Sequence, residues 1–154
     1  MVKLLIFCAK YLYLFACGIA FMWFWDLPKK QKSGAALYMI IAMTLMYLMA
    51  KLGALLYLDP RPFVTGHFIP LIPHAPDNGF PSDHTLLTAA LAALIFPFNR
   101  KISTTIWIIT ALVGFSRVYA GIHHPVDIVG SVGIALLVSF FMYVLAGRKN
   151  VHIL

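Results

Sequence analysis

Charge is scarce in this sequence. Asp, Glu, Lys and Arg together make up 11% of its 154 residues, and only five of them are acidic, where a soluble domain carries about 25% charged residues. With 62% hydrophobic residues and a mean hydropathy of +0.88, the chain falls outside the soluble class and reads as one membrane-embedded domain. Cysteine is nearly absent. Cys8 and Cys17 sit in the first apolar run on no ligand spacing, which implies neither a disulfide framework nor a metal site. There is no internal repeat and no low-complexity linker. The first apolar run also lacks the small-residue cleavage site of a removable signal peptide, so it reads as a span.

What the chain does have is long apolar runs. A spanning helix needs roughly 20 predominantly apolar residues, and five candidates stand at about 4–25, 35–58, 84–98, 103–120 and 126–146. The expected fold is therefore all-α, a polytopic membrane helix bundle with about five spans. Trp23, Phe24 and Trp25 read as an interfacial aromatic belt. The tract Asp26 to Ser33 reads as a polar turn, and the stretch 63–80 as an irregular loop.

The few cations assign an orientation. Lys29, Lys30 and Lys32, then Arg100 and Lys101, then Arg148 and Lys149 fall in alternate connections and the tail. The positive-inside rule places all three groups, and with them the C-terminus, on the cytoplasmic side of the plasma membrane. The net charge of +7 is thus mainly topology. No basic face is left over for a nucleic acid.

Nearly every residue able to act as acid, base or nucleophile then gathers on the opposite, outer face: Asp59, Arg61, His67, His74, Asp77, Asp83, His84, Arg117, His123, His124 and Asp127. Groups of this kind are costly near a bilayer and mark functional sites there. The centre of this set is the stretch 116–127. Ile106 to Tyr119 reads as a helix, Gly121 can take the left-handed conformation that ends one, and Pro125 suits the first turn of the next. His123 stands just ahead of that helix N-terminus, whose free N–H groups favour an anion. Asp127, four residues on, can accept the proton of one imidazole nitrogen and leave the other free to attack.

Other residues point the same way. Arg61 is pinned between Pro60 and Pro62 at the membrane boundary, as a phosphate ligand would be. Lys51, about 10 Å below the outer end of its span at 1.5 Å per residue, is expected to face a polar cavity. Ser82 reads as the N-cap of the third span, with Asp83 and His84 in its first turn. Arg117 is expected to pair with a bound anion or with Asp127. His67 and His74 read as solvated or locally bonded loop residues, although Leu71 to Ala75 could dip into the interface and meet substrate.

Three motifs now stand in order: Arg61-Pro62; Pro81-Ser82-Asp83-His84; and Ser116-Arg117 followed by His123 and Asp127. Together they resemble the type 2 phosphatidic acid phosphatase superfamily, membrane lipid phosphatases that share a catalytic core with vanadium haloperoxidases. The stretches 60–64, 71–75, 80–85 and 114–117 resemble more narrowly the bacitracin-resistance-type undecaprenyl pyrophosphate phosphatases, and the likeness covers about residues 35–145. The resemblance implies a metal-independent, cofactor-free lipid pyrophosphate phosphatase that recycles a polyprenyl carrier for the cell envelope. It assigns His123 as nucleophile, Asp127 as its orienting partner and His84 as the acid and base. Arg61, Arg117, Ser82 and the Asp83 backbone N–H would hold the phosphoryl oxygens.

The sequence departs from the family pattern in three places. The superfamily's lysine seven residues before the arginine is Ala54 here, and Lys51 is the candidate substitute as a phosphate ligand. Asp83 replaces the usual glycine and is expected to point outward or toward a basic group. Five spans are read where the family commonly has six. Two other readings stand beside the first: a phosphatase for phosphatidylglycerophosphate or phosphatidic acid, and a non-enzymatic protein that binds anionic lipid. The inner halves of the helices are too apolar for a channel.

Overall fold

The structure is a computed structural model that describes residues 1–148. Lys149, and with it the end of the chain expected on the cytoplasmic side, lies outside the described residues. Six helices follow in order: α1 (Val2–Asp26), α2 (Lys29–Leu56), α3 (Pro62–Thr65), α4 (Asp83–Ile95), α5 (Arg100–Tyr119) and α6 (Pro125–Arg148). No strand occurs among the described residues beyond a single bridge between Pro60 and Asn78.

Helices α1, α2, α5 and α6 are long and apolar enough to cross a membrane. The expected third span, α4, has 13 residues, or about 20 Å of helix against a hydrocarbon core of about 30 Å. Its surroundings account for its length. It packs against α1, α2, α5 and α6, and ten of its residues are buried. A helix wrapped on all sides meets protein instead of lipid and need not match the bilayer. Ala89, Ala90, Ala92 and Ala93 leave room for that close approach. The hydroxyl of Ser103 donates to the Ala92 carbonyl at 2.7 Å, tying α5 to α4.

Two boundaries differ from expectation. The polar turn between α1 and α2 is only Leu27 and Pro28, and Lys29 to Ser33 are already helical. Proline holds Leu27 extended, at φ −61° and ψ 143°, which stops α1 and lets α2 start at once. Lys32 Nζ closes the turn on the Trp25 carbonyl at 2.7 Å. At the head of α5, Asn99 accepts the Ile102 N–H at 3.1 Å, a cap that starts the helix at Arg100 instead of 103. The aromatic belt is also narrower than expected. Trp25 is exposed, but Trp23 is buried and packs on Phe98 with ring centroids 5.4 Å apart.

Short connections at 27–28, 96–99 and 120–124 reverse the chain between successive helices, as in antiparallel bundles. One end of the bundle gathers the long 57–82 segment, the head of α4, the tail of α5 and the head of α6. Within that segment α3 forms where a plain loop was expected, started by Pro62 at its first position. The rest is anchored from within: Ile72 is buried with Ala9, Ala120 and Ile122, and the Leu71 N–H donates to the Ala120 carbonyl at 3.1 Å.

Candidate active site

The turn 120–124 delivers His123 to the centre of this end. Gly121 adopts φ +75°, and a Cβ there would lie 2.6 Å from the Phe68 ring, so both the conformation and the close approach require glycine. His123 is 2% exposed and Asp127 is wholly buried. Nδ1 of His123 lies 3.0 Å from Asp127 Oδ2. Its Nε2 lies 3.2 Å from Arg61 Nη1 and 3.2 Å from Arg117 Nη2.

These contacts fix the tautomer. A guanidinium has only donors, so Nε2 must present its lone pair to both arginines; the ring proton then sits on Nδ1 and is donated to Asp127. A neutral imidazole with its lone pair facing two cations is set up to attack an electron-poor centre that those cations hold. Burial pushes the His123 pKa below the ordinary imidazole value, and the two arginine charges add to this while the hydrogen bond to Asp127 opposes it. We expect ring-nitrogen NMR to show the Nδ1–H tautomer, with protonation below the free-imidazole midpoint of about 6.5.

Both arginines are braced from behind. Arg61 Nε donates to Asp77 Oδ1 at 2.7 Å and Nη1 to the Ile122 carbonyl at 2.8 Å. Asp77 is exposed and Arg61 is not. Burial raises the Asp77 carboxyl, but the hydrogen bond and charge of Arg61 outweigh it and hold the pKa below its usual range. Arg117 Nη1 donates to the Ala9 carbonyl of α1 at 3.1 Å, and Nη2 lies 3.4 Å from His74 Nε2. Of the two partners expected for Arg117, Asp127 is not one it meets: the guanidinium turns to Ala9, His74 and His123, and Oδ2 of that carboxylate is engaged by His123 and the His124 N–H. Arg117 is buried and its Nε has no partner. Among the described residues it makes no ion pair, which leaves its charge available to an anion.

The remaining expected residues divide. His84 is half-buried in the first turn of α4, edge-on to Tyr13 at 4.4 Å between ring centroids. The guanidinium of Arg117 is the fixed charge that bears on it. Ser82 stands at the N-cap position, but its hydroxyl caps nothing; Oγ accepts the Thr85 hydroxyl at 3.1 Å. Its backbone joins α6, with the Ser82 N–H 3.4 Å from the Asp127 carbonyl. Asp83 is exposed, in line with the outward direction expected of it.

Lys51 stands apart from this cluster, contrary to expectation. It lies exposed with Nζ 5.3 Å above the Tyr47 ring, a cation–π contact along its own helix. Lys51→Met should therefore change turnover by no more than about twofold, as for an exposed residue outside a site; phosphate release by the purified variant checks it.

Four residues gain roles the sequence did not assign. His74, read as a loop histidine, reaches Arg117, and its ring lies 6.2 Å from that of His123. Burial lowers its pKa, as do Arg61 and Arg117. Asp77 braces Arg61. Asn78 accepts the N–H groups of Asp59 and Phe80 and donates to the carbonyls of Ala54 and Tyr57, pinning the end of α2 to the loop. Asp59 Oδ2 lies 3.0 Å from His124 Nδ1. The advance signal for all four was their place in the connection expected on the outer face. His67 stays exposed and outside the cluster.

A cleft of about 510 Å³ opens beside His123, its rim formed by Phe68, Ile69, Leu71 and Tyr119. A larger groove of about 700 Å³ lies at the other end of the bundle, lined by Arg100, Trp107 and Phe140 and remote from these groups.

Fold and site together define a multi-pass helical membrane protein with a buried histidine–aspartate pair whose free imidazole nitrogen faces two arginines. The PAP2 superfamily model matches residues 34–150, and the chain belongs to that superfamily. It is 44% identical over 89 residues to the undecaprenyl-diphosphatase BcrC of Bacillus subtilis, a match covering 58% of this chain and 46% of that protein. It is 32% identical over 140 residues to the bacitracin transport permease protein BcrC of Bacillus licheniformis, covering 89% of this chain and 68% of the other. The chain thus spans less than half the length of the first of these relatives. The crystal structure of Aquifex aeolicus LpxE has the same fold, with a TM-score of 0.66 at 18% identity over 92% of this chain and 93% of that one.

Proposed function

We propose that the protein is a lipid pyrophosphate phosphatase that removes the terminal phosphate of undecaprenyl pyrophosphate through a phosphohistidine at His123. The observation that carries the reading is the lone pair of His123 Nε2 directed at two buried guanidinium groups, with the opposite nitrogen held by Asp127. Nε2 attacks the terminal phosphorus and the bond to the bridging oxygen breaks. His84 protonates the departing undecaprenyl phosphate. His84 then takes a proton from water, which attacks the phosphorus; the P–N bond breaks and phosphate leaves. Arg61 and Arg117 hold the oxygens on which charge develops, with the Ser82 hydroxyl and the Asp83 N–H completing the cradle. These donors supply the positive potential, so no step calls on a metal.

The name of the Bacillus subtilis relative motivates the substrate, and the apolar rim of the cleft suits the first prenyl units of a lipid tail. Orientation follows from charge. Lys29, Lys30, Lys32, Arg100 and Lys101 all lie at the bundle end opposite His123, so the site faces outward and the enzyme returns carrier lipid to envelope synthesis from that side.

The test is phosphate release in detergent micelles containing a chelator, with undecaprenyl pyrophosphate compared against phosphatidylglycerophosphate and phosphatidic acid. The reading expects the polyprenyl substrate to have the highest kcat/KM. Preference for either glycerophospholipid overturns the substrate assignment, and inertness toward all three overturns the enzymatic reading in favour of a lipid-binding protein.

A further inference from the structure

Asp127 is only half satisfied. Its Oδ2 accepts two hydrogens at 3.0 Å, from His123 Nδ1 and the His124 N–H, while Oδ1 is buried without a partner. An acceptor of this kind, left bare in the interior, is costly. A donor belongs at Oδ1.

The neighbouring side chain able to supply one is Asp59. Carboxyl oxygens of Asp59 and Asp127 and a ring nitrogen of His124 all lie within 4.8 Å of one another. Backbone bonds hold Asp59 in place: its N–H donates to Asn78 Oδ1 at 2.9 Å, and its carbonyl accepts the Gly79 N–H at 2.8 Å. Gly79 makes the approach possible, since a Cβ there would lie 2.9 Å from Asp127 Oδ2. Two ionised carboxylates forced together would repel, and such a pair relieves the repulsion by keeping one proton.

We infer that Asp59 is a positioning residue for the His123–Asp127 pair, donating a carboxylic acid proton to the bare Oδ1 of Asp127 while accepting the Nδ1–H of His124. Every polar group in the cluster is then matched. Asp127 keeps a single negative charge, held in one orientation by three donors, and that charge aligns the reacting imidazole. The groups facing Asp59 are Asp127 on α6 and His124 in the turn before it; His123 lies across Asp127, with Arg61 and Arg117 on its far nitrogen. Burial, and then the charge of Asp127, push the Asp59 carboxyl above its ordinary range, against a smaller opposing pull from His124.

The inference rests on His123 and Asp127 being the reacting pair, so its test has one arm that needs no substrate. Infrared spectra of the purified parent near neutral pH should show a carboxylic acid C=O stretch that is missing in Asp59→Asn. The second arm is turnover against pH. The amide of Asp59→Asn can donate to Oδ1 and accept from His124 while having no proton to lose. That variant should keep most turnover and lack the alkaline decline expected of the parent from ionisation of the pair. Asp59→Ala should fall by roughly 10- to 100-fold, the usual range for removing a group that orients an active one. The inference fails if the acid band is absent, as it would be were a divalent cation neutralising the cluster. It also fails if Asp59→Asn is as impaired as Asp59→Ala, or if Asp59→Ala matches the parent.

Discussion

His123→Ala should abolish turnover, with a loss on the order of 10⁴-fold or more, the scale on which removing a nucleophile that works as part of a unit is felt. His124→Ala should retain measurable turnover. The two histidines are neighbours in sequence, but the structure gives them different partners. His123 is buried, with both ring nitrogens engaged by Asp127 and the two arginines. His124 is half-buried and turns its Nδ1 to Asp59. The part of His124 that touches the reacting pair is its backbone N–H on Asp127 Oδ2, which alanine keeps. Phosphate release by the purified variants, with thermal melts to show that both fold, separates them. Equal losses would mean that the ring of His124 takes part in the chemistry.

Arg117→Lys should lower kcat by about 10²- to 10³-fold, comparable to removing a preorganised donor from a transition-state cradle. The guanidinium spans three directions at once, to the Ala9 carbonyl, to His74 and to His123. A lysine ammonium is a compact charge without that planar fork. It can keep the carbonyl of α1 or reach the phosphoryl site, but it cannot hold both. Because the lost contact strengthens as charge builds on the phosphoryl oxygens, the fall should appear in kcat more than in KM. An effect confined to KM would make Arg117 a ground-state binder only. Arg61→Lys should show the same pattern, since Arg61 likewise divides its donors among Asp77, the Ile122 carbonyl and His123.

The parts of this arrangement that are local in sequence were legible in the sequence. The pairing of His123 with Asp127 needs only a helix start at Pro125 and a spacing of four, and both are written in the chain. Four of the long apolar runs became helices of spanning length because composition alone decides that property. The brevity of α4 was not legible, because it depends on the four helices around it and not on its own residues. Lys51 was misplaced for a related reason: α2 is apolar around most of its circumference, so no stripe of residues shows which side faces the site.

The supporting contacts were hidden for a different reason. Asp77 on Arg61, His74 on Arg117, Asp59 on His124 and Asn78 on the end of α2 all come from the 57–82 segment, which has no helical or strand period to read. Its path is set by hydrogen bonds between residues far apart in sequence, such as Leu71 N–H to the Ala120 carbonyl. Arg117 shows the cost of missing them. Without Ala9 and His74 in view, Asp127 stood beside a bound anion as a possible partner, whereas Oδ2 of that carboxylate is engaged by His123 and the His124 N–H.

The central claim is that phosphorus is transferred to Nε2 of His123. Rapid acid-free quenching of the enzyme with undecaprenyl pyrophosphate labelled in its terminal phosphate, followed by peptide mapping, tests it directly. The account predicts an acid-labile, alkali-stable label on the peptide containing His123, absent from His123→Ala and accumulating in His84→Ala, where hydrolysis of the intermediate is slowed. Steady turnover with no trapped label in either the parent or His84→Ala, or a label on any other residue, would contradict it.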